Sequence, residues 1–252
     1  MIRSIAGAFA FGSVLPMRRP AAAPSRGVLT AFPLVGVVLG GLAGAVLLAG
    51  FWLFGPANPL AGMAAVAALV FATRGLHVDG LADTADGLGS RRPAADALEI
   101  MRRSDIGPMG VATLVLTLLV QVAALAAVPR ASFAAAALVL AEVTGRVSVV
   151  AATSSPAARP GGFGALVAGR TTGLDRALTI CVLLAAVAAA SETAGGQALA
   201  ARGLAATVAG LLAGWLLQRT ASRRLGGMTG DVFGAILQGS ATVVLIVAAL
   251  AG

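Results

Sequence analysis

From Ala31 to Phe54 the chain reads AFPLVGVVLGGLAGAVLLAGFWLF, 24 consecutive residues without a charge. A helix rises 1.5 Å per residue, so about 20 apolar residues cross a hydrocarbon core roughly 30 Å thick. This stretch predicts a membrane-spanning helix. Further apolar runs lie at about 59–73, 108–128, 133–153, 177–191, 203–218 and 232–251. The composition agrees. Of 252 residues, 58% are hydrophobic and 11% charged, and the mean hydropathy is +0.94, which leaves too little polar surface to coat a soluble globule. Seven spans would use roughly 140 positions. The expected fold is an all-α polytopic integral membrane protein, a bundle of about seven transmembrane helices in one membrane-embedded domain (1–252), with an N-terminal interfacial segment at 1–27.

Arginine placement sets the expected orientation, because positive residues stay on the cytoplasmic side. Arg3, Arg18, Arg19 and Arg26 precede the first span. Arg74, Arg91, Arg92, Arg102 and Arg103 follow the second, and later alternate loops carry Arg159, Arg170, Arg176, Arg219, Arg223 and Arg224. The intervening loops hold only Arg130 and Arg202. The N-terminus and the motif-bearing loops are therefore expected to be cytoplasmic, in the cell (inner) membrane. In such a chain the net charge of +8 signals orientation rather than nucleic-acid binding. Ile5–Leu15 is short, broken by glycines and followed by Arg18 and Arg19, which suits an interfacial helix better than a signal peptide. The single cysteine, Cys181, excludes an internal disulfide and a cysteine zinc site. Gly36, Gly40, Gly41 and Gly44 stand at spacings that let helix backbones approach in lipid.

Six of the ten acids fall between positions 79 and 105. The cluster opens His77-Val78-Asp79-Gly80-Leu81-Ala82-Asp83-Thr84-Ala85-Asp86-Gly87. On a helix, Asp79, Asp83 and Asp86 share an arc of about 60°. Like charges in register repel, so a cation is the economical explanation. Oxygen ligands alone suit magnesium or manganese, bound together with substrate phosphates. Gly80, Thr84 and Gly87 lie on the neighbouring face, where missing side chains would admit a ligand close to the backbone. An exposed acidic helix at a membrane surface is the plainer alternative.

Other stretches enter from the same side. Ala94–Ser104 is amphipathic and closes on Ile106-Gly107-Pro108-Met109-Gly110, a helix break; Arg102 is the preferred phosphate contact there. Gly161-Gly162-Phe163-Gly164 and Gly169-Arg170-Thr171-Thr172 read equally as a ligand-covering loop or a linker. Arg223-Arg224 and Asp231 immediately precede the last span, where an unpaired charge is costly. Glu142 and Arg146 stand one turn apart within a span, as a structural ion pair or as a group aimed into a cavity. His77 has no second histidine for a metal site and is expected to hydrogen-bond substrate or an aspartate, with plain interfacial placement the alternative.

The run Leu76–Gly87 resembles the signature of the cobalamin synthases, also called adenosylcobinamide-GDP ribazoletransferases. Further similarities follow in order: Phe32-Pro33-Leu34-Val35-Gly36; Leu98-Glu99-Ile100-Met101-Arg102 with Ser104 and Gly107; and Leu225-Gly226-Gly227 with Thr229-Gly230-Asp231 and Gly234-Ala235. The resemblance covers about residues 28–240. In the family pattern Asp commonly follows Met-Arg, whereas Arg103 stands here and Asp105 takes the place of a frequent Arg. Met109 replaces a frequent ring-bearing residue. These three are not carried over as site residues.

The resemblance implies a magnesium-dependent membrane transferase joining adenosylcobinamide-GDP to α-ribazole or its 5′-phosphate with release of GMP. It implies that Asp79, Asp83 and Asp86 bind metal and act in catalysis, with Asp83 the preferred base. His77, Gly80, Gly87, Arg102, Ser104, Arg224 and Asp231 would contact substrate. The alternatives are another membrane alcohol phosphotransferase of phospholipid type, a prenyl transferase, which usually needs a second Asp-rich motif, or a cation transporter. Transporters place working acids near mid-membrane, whereas most acids here lie in loops.

Overall fold

A computed structural model describes residues 2–15, 25–128, 130–194 and 196–250, with no account of the side chains of 193 and 194. Arg18 and Arg19, counted above with the N-terminal cluster, lie outside the described residues. The helices are α1 (Ile2–Gly12), α2 (Arg26–Phe54), α3 (Pro59–Ala72), α4 (Leu76–Gly89), α5 (Ala94–Ile100), α6 (Pro108–Ala127), α7 (Ala131–Ala152), α8 (Gly162–Val167), α9 (Gly173–Ala194), α10 (Gln197–Leu225) and α11 (Gly230–Ala248). Strand pairing among the described residues is limited to one isolated parallel bridge, Ala157 to Met228.

Six of these helices, α2, α6, α7, α9, α10 and α11, are long and apolar enough to cross a membrane. The protein is thus a multi-pass α-helical membrane protein. The run at 59–73 behaves differently from the others. Its helix, α3, has 14 residues, a length of about 21 Å, and is followed by a 90° bend into α4. The bend has a local cause. Arg74 and Gly75 take consecutive left-handed conformations (φ 53 and 70), which stop a right-handed helix at once. Counting the bent pair as one span gives seven. α4 by itself is not among the span-length helices; it lies against the first turns of α6 and α11.

α7 forms the centre of the bundle and is buried along most of its length. α2 lies against it at glycine contact distance: a Cβ on Gly36 would sit 2.7 Å from the Glu142 carbonyl oxygen, and one on Gly40 2.7 Å from the Val139 Cα. Gly44 meets Ala135, but Gly41 faces open space. Three of the four glycines expected to mediate packing therefore do so. The α7 pair resolves as an ion pair. Arg146 is fully buried; its Nη1 donates to Glu142 Oε2 at 2.5 Å and to the Glu142 carbonyl at 3.0 Å, and its guanidinium lies 5.3 Å from the centre of the Phe32 ring.

The polar elements collect at one end of the bundle. There α1 packs on the start of α2, with Gly12 against the Phe32 ring and Gly27 against Ser4. Asp175 ties α9 to α2 by accepting from Arg26 Nε at 2.7 Å and Thr30 Oγ1 at 3.1 Å. The loop after α7 is fixed to the α10–α11 turn by Met228 N donating to Pro156 O and Ala158 N donating to Met228 O.

The glycine contact makes a clear prediction. Gly40→Leu should force α2 from α7 and cost about 1–3 kcal/mol or more, read as a lower melting temperature in detergent. Gly41→Ala should leave that temperature unchanged.

Candidate active site

Two glycine contacts decide where the acids go. A Cβ on Gly80 would lie 2.6 Å from the Asp231 carbonyl oxygen, and one on Gly234 would lie 3.1 Å from that of His77. α4 and α11 therefore touch backbone to backbone, which sets Asp231, in the first turn of α11, beside the α4 stripe. Asp79 is exposed, Asp83 and Asp86 are half-buried, and His77 is buried. Burial, and then the charges of Asp79, Asp231 and Asp86, push the Asp83 carboxyl up to about 6. Burial, reinforced by the Arg146 charge, lowers His77 to about 3, so its imidazole is neutral near pH 7.

Asp86 is turned to a different task. Its Oδ2 accepts from Gly107 N at 2.7 Å and its Oδ1 from Gly110 N at 2.8 Å. Both amides belong to the exposed N-terminus of α6, where a carboxylate satisfies orphan donors and faces the positive end of the helix dipole. Gly107 and Gly110 leave room for it, since a Cβ on either would strike the carboxylate. The Ile106–Gly110 helix break is a carboxylate cradle.

Two cavities meet at Asp79. One, of about 550 Å³, is bordered by Phe11, Ser13, Arg74, Leu76, Asp79 and Ile106 among others. The second, of about 270 Å³, is bordered by His77, Asp79, Asp231 and the rings of Phe11, Phe32, Phe163 and Phe233. Phe11, Leu76 and Asp79 line both. A third, of about 360 Å³, lies between Arg102, Arg159, Gly161 and Gly162.

A sequence profile of the cobalamin-5-phosphate synthase family matches residues 4–249. The chain belongs to that family. It is 35% identical over 258 residues to the adenosylcobinamide-GDP ribazoletransferase of Frankia casuarinae, covering 96% of this chain and 93% of that protein. Proteins of the same name from Bradyrhizobium diazoefficiens and Citrobacter koseri are each 38% identical, covering 87% and 85% of this chain and 81% and 83% of theirs. No solved structure gives a significant match. Membership in the cobalamin-5-phosphate synthase family makes this a membrane-embedded transferase of cobalamin biosynthesis.

Within this cobalamin-5-phosphate synthase fold, Asp79, Asp83, Asp231 and His77 come together. Gly80 and Gly87 do not open a ligand face: their missing side chains are filled by α11 and by Met101, respectively, because helix packing claims that side of α4. Arg102 is exposed, 3.8 Å from Glu99 Oε2, and shares the third cavity with Arg159. Ser104 and Arg224 are exposed and line none of these three cavities. Sequence reasoning missed Arg159, which donates to the Leu98 carbonyl at 3.4 Å and acts electrostatically on Asp231. It also missed Arg74 and the four phenylalanines as cavity walls. Phe163 stood in a stretch open to either reading, whereas Arg74 and Phe11 carried no signal.

Among the described residues, no three His, Cys, Asp or Glu side chains gather closely enough to hold a metal ion by themselves. By donor type, the carboxylate oxygens of Asp79, Asp83 and Asp231 are what a hard divalent cation would take, and the like charge acting on Asp83 is what such an ion would relieve. Such ions complete their shell with water and substrate phosphate.

Two predictions follow from the carboxylates. Asp86→Ala should cost about 1–2 kcal/mol through loss of the α6 cap, measured by thermal unfolding, while the exposed Asp79→Ala should not. Asp83 binds its proton more tightly in the folded state than in the unfolded one, so stability falls as pH rises from about 4 to about 6 and is flat above. In metal-free detergent near pH 7.5, Asp83→Asn should melt a few degrees above the parent, and the difference should vanish by about pH 4.

Proposed function

We propose that the chain joins adenosylcobinamide-GDP to α-ribazole or its 5′-phosphate, giving adenosylcobalamin or its 5′-phosphate and GMP. The observation that carries this reading is that Asp79 borders both cavities and Asp231 the smaller one, with Asp83 near enough to both to feel their charge, in a chain of this family. A ribose 3′-hydroxyl attacks the cobinamide-linked phosphorus. The new oxygen–phosphorus bond forms as the bond to the GMP oxygen breaks. Asp83, central among the carboxylates, takes the hydroxyl proton, a contribution of about 10²–10⁴ in rate for a positioned base.

Asp79, Asp83 and Asp231 would hold magnesium, which when bound supplies neutralisation of phosphate oxygens and orientation of the attacking and leaving groups. Asp86, with both oxygens engaged by α6, supports α4 instead. Arg102 and Arg159 supply fixed positive charge for the departing phosphate, as phosphoryl transfer requires. Neutral His77 offers a hydrogen bond from the cavity wall.

The orientation proposed puts this end of the bundle in the cytoplasm. Arg26, Arg74, Arg102, Arg159 and Arg224 lie there, and Arg130 and Arg202 lie toward the other, the bias expected of the inner face. Both substrates are water-soluble and would reach the site from that side.

The test is GMP release by the purified chain in lipid, given both substrates. Activity should require magnesium and be abolished by chelation. Asp83→Asn should lower it at least a hundredfold; wild-type GMP release by that variant would remove the carboxylates from the chemistry. Turnover of CDP-diacylglycerol in place of the corrinoid would assign the reaction to lipid synthesis.

A further inference from the structure

The 270 Å³ cavity has no counterpart in a well-packed core, where voids larger than a water molecule are few. Its walls are unusual in this chain. The protein has nine phenylalanines and no tyrosine, and four of the nine, Phe11, Phe32, Phe163 and Phe233, line this one space. They come from four elements, α1, α2, α8 and α11. Phe11 and Phe163 stack at 4.8 Å with their planes 7° apart, and Phe163 meets Phe233 at 5.9 Å and 89°. Two perpendicular rings on the wall allow a flat guest to meet the face of one and the edge of the other, the arrangements aromatic pairs favour.

The polar groups are placed with equal economy. His77 lies on the wall, and Asp79 and Asp231 also border the space. At 270 Å³ it falls below the usual size of a drug-sized ligand site, so it holds one ring system and part of a sugar, not a corrinoid. An acyl chain would have to pass the carboxylates. Guanine could donate to the Asp79 or Asp231 carboxylate, but its remaining hydrogen-bonding groups would lie against rings that cannot pair with them, at a cost in free energy.

We infer that this phenylalanine-lined slot binds the flat, mostly apolar heterocyclic base of the nucleoside acceptor, seating its ribose at Asp79 and Asp231. The inference rests on the acceptor being a nucleoside, as proposed above. It also divides the site. The acceptor enters the slot, and the activated donor approaches from the larger cavity across the shared wall of Phe11, Leu76 and Asp79. Nothing in the acid-rich motif determines base preference; Phe163 and Phe233 do so.

The experiment measures binding of α-ribazole and, separately, of GMP to the full chain in detergent, by equilibrium dialysis, alongside KM values for both substrates. Phe163→Ala should weaken α-ribazole about tenfold or more, the scale of one lost base–aromatic stack, and raise the acceptor KM alone. Phe163→Leu, which keeps an apolar side chain, guards against misfolding and should show the same selective loss. Phe163→Trp should report α-ribazole binding as a change in indole fluorescence. If these variants weaken GMP instead, the slot holds the donor's guanine and the inference fails. Unchanged acceptor binding and KM in an active enzyme also sink it, while leaving the transferase reading intact. A wild-type chain that neither binds nor turns over α-ribazole overturns that reading itself.

Discussion

Hydrocarbon offers no hydrogen-bond partner to a backbone amide or a charge, and this requirement organises the whole molecule. It drives the chain into helices and moves polar chemistry to where helices end. Most of the acids, most arginines and the short helices α1, α4, α5 and α8 accordingly gather at one end of the bundle. The Glu142–Arg146 pair inside α7 meets the same requirement by pairing internally and by placing its guanidinium against the Phe32 ring.

Glycine supplies the next level of order. With lipid on one side and protein on the other, little apolar driving force separates helix–helix from helix–lipid contact, so close backbone approach decides which helices pair. Gly36 and Gly40 join α2 to α7. Gly80 and Gly234 lay α4 across the start of α11. The same contacts that stabilise the bundle therefore carry Asp231 to Asp79 and Asp83. Fold and site share their determinants, and a side chain at Gly80 would disturb both.

The carboxylates divide by partner rather than by type. Asp86 is engaged by two backbone amides and anchors α4 to α6. Asp83 has no such partner; burial first, and then the like charges around it, hold its proton up to about pH 6. Asp79 and Asp231 face the cavities. Three aspartates at helical spacing thus have different surroundings, one held by backbone amides and two left free of them.

The membrane class, the helical runs and the acid stripe were legible in the sequence, because each depends on local composition and on spacing within one helix. The family motif from Leu76 to Gly87 marked the centre of the candidate site for the same reason. The role of Asp86 and the filling of Gly80 and Gly87 were not legible. Each depends on what another element, distant in sequence, places alongside. Asp86 looked identical to Asp79 until the α6 amides were positioned against it. Phe11, Phe32, Phe163 and Phe233 likewise form a cavity only after four elements converge. Periodicity along one helix is written in the order of residues; the partner that meets each face is chosen by packing, and only the assembled bundle decides it.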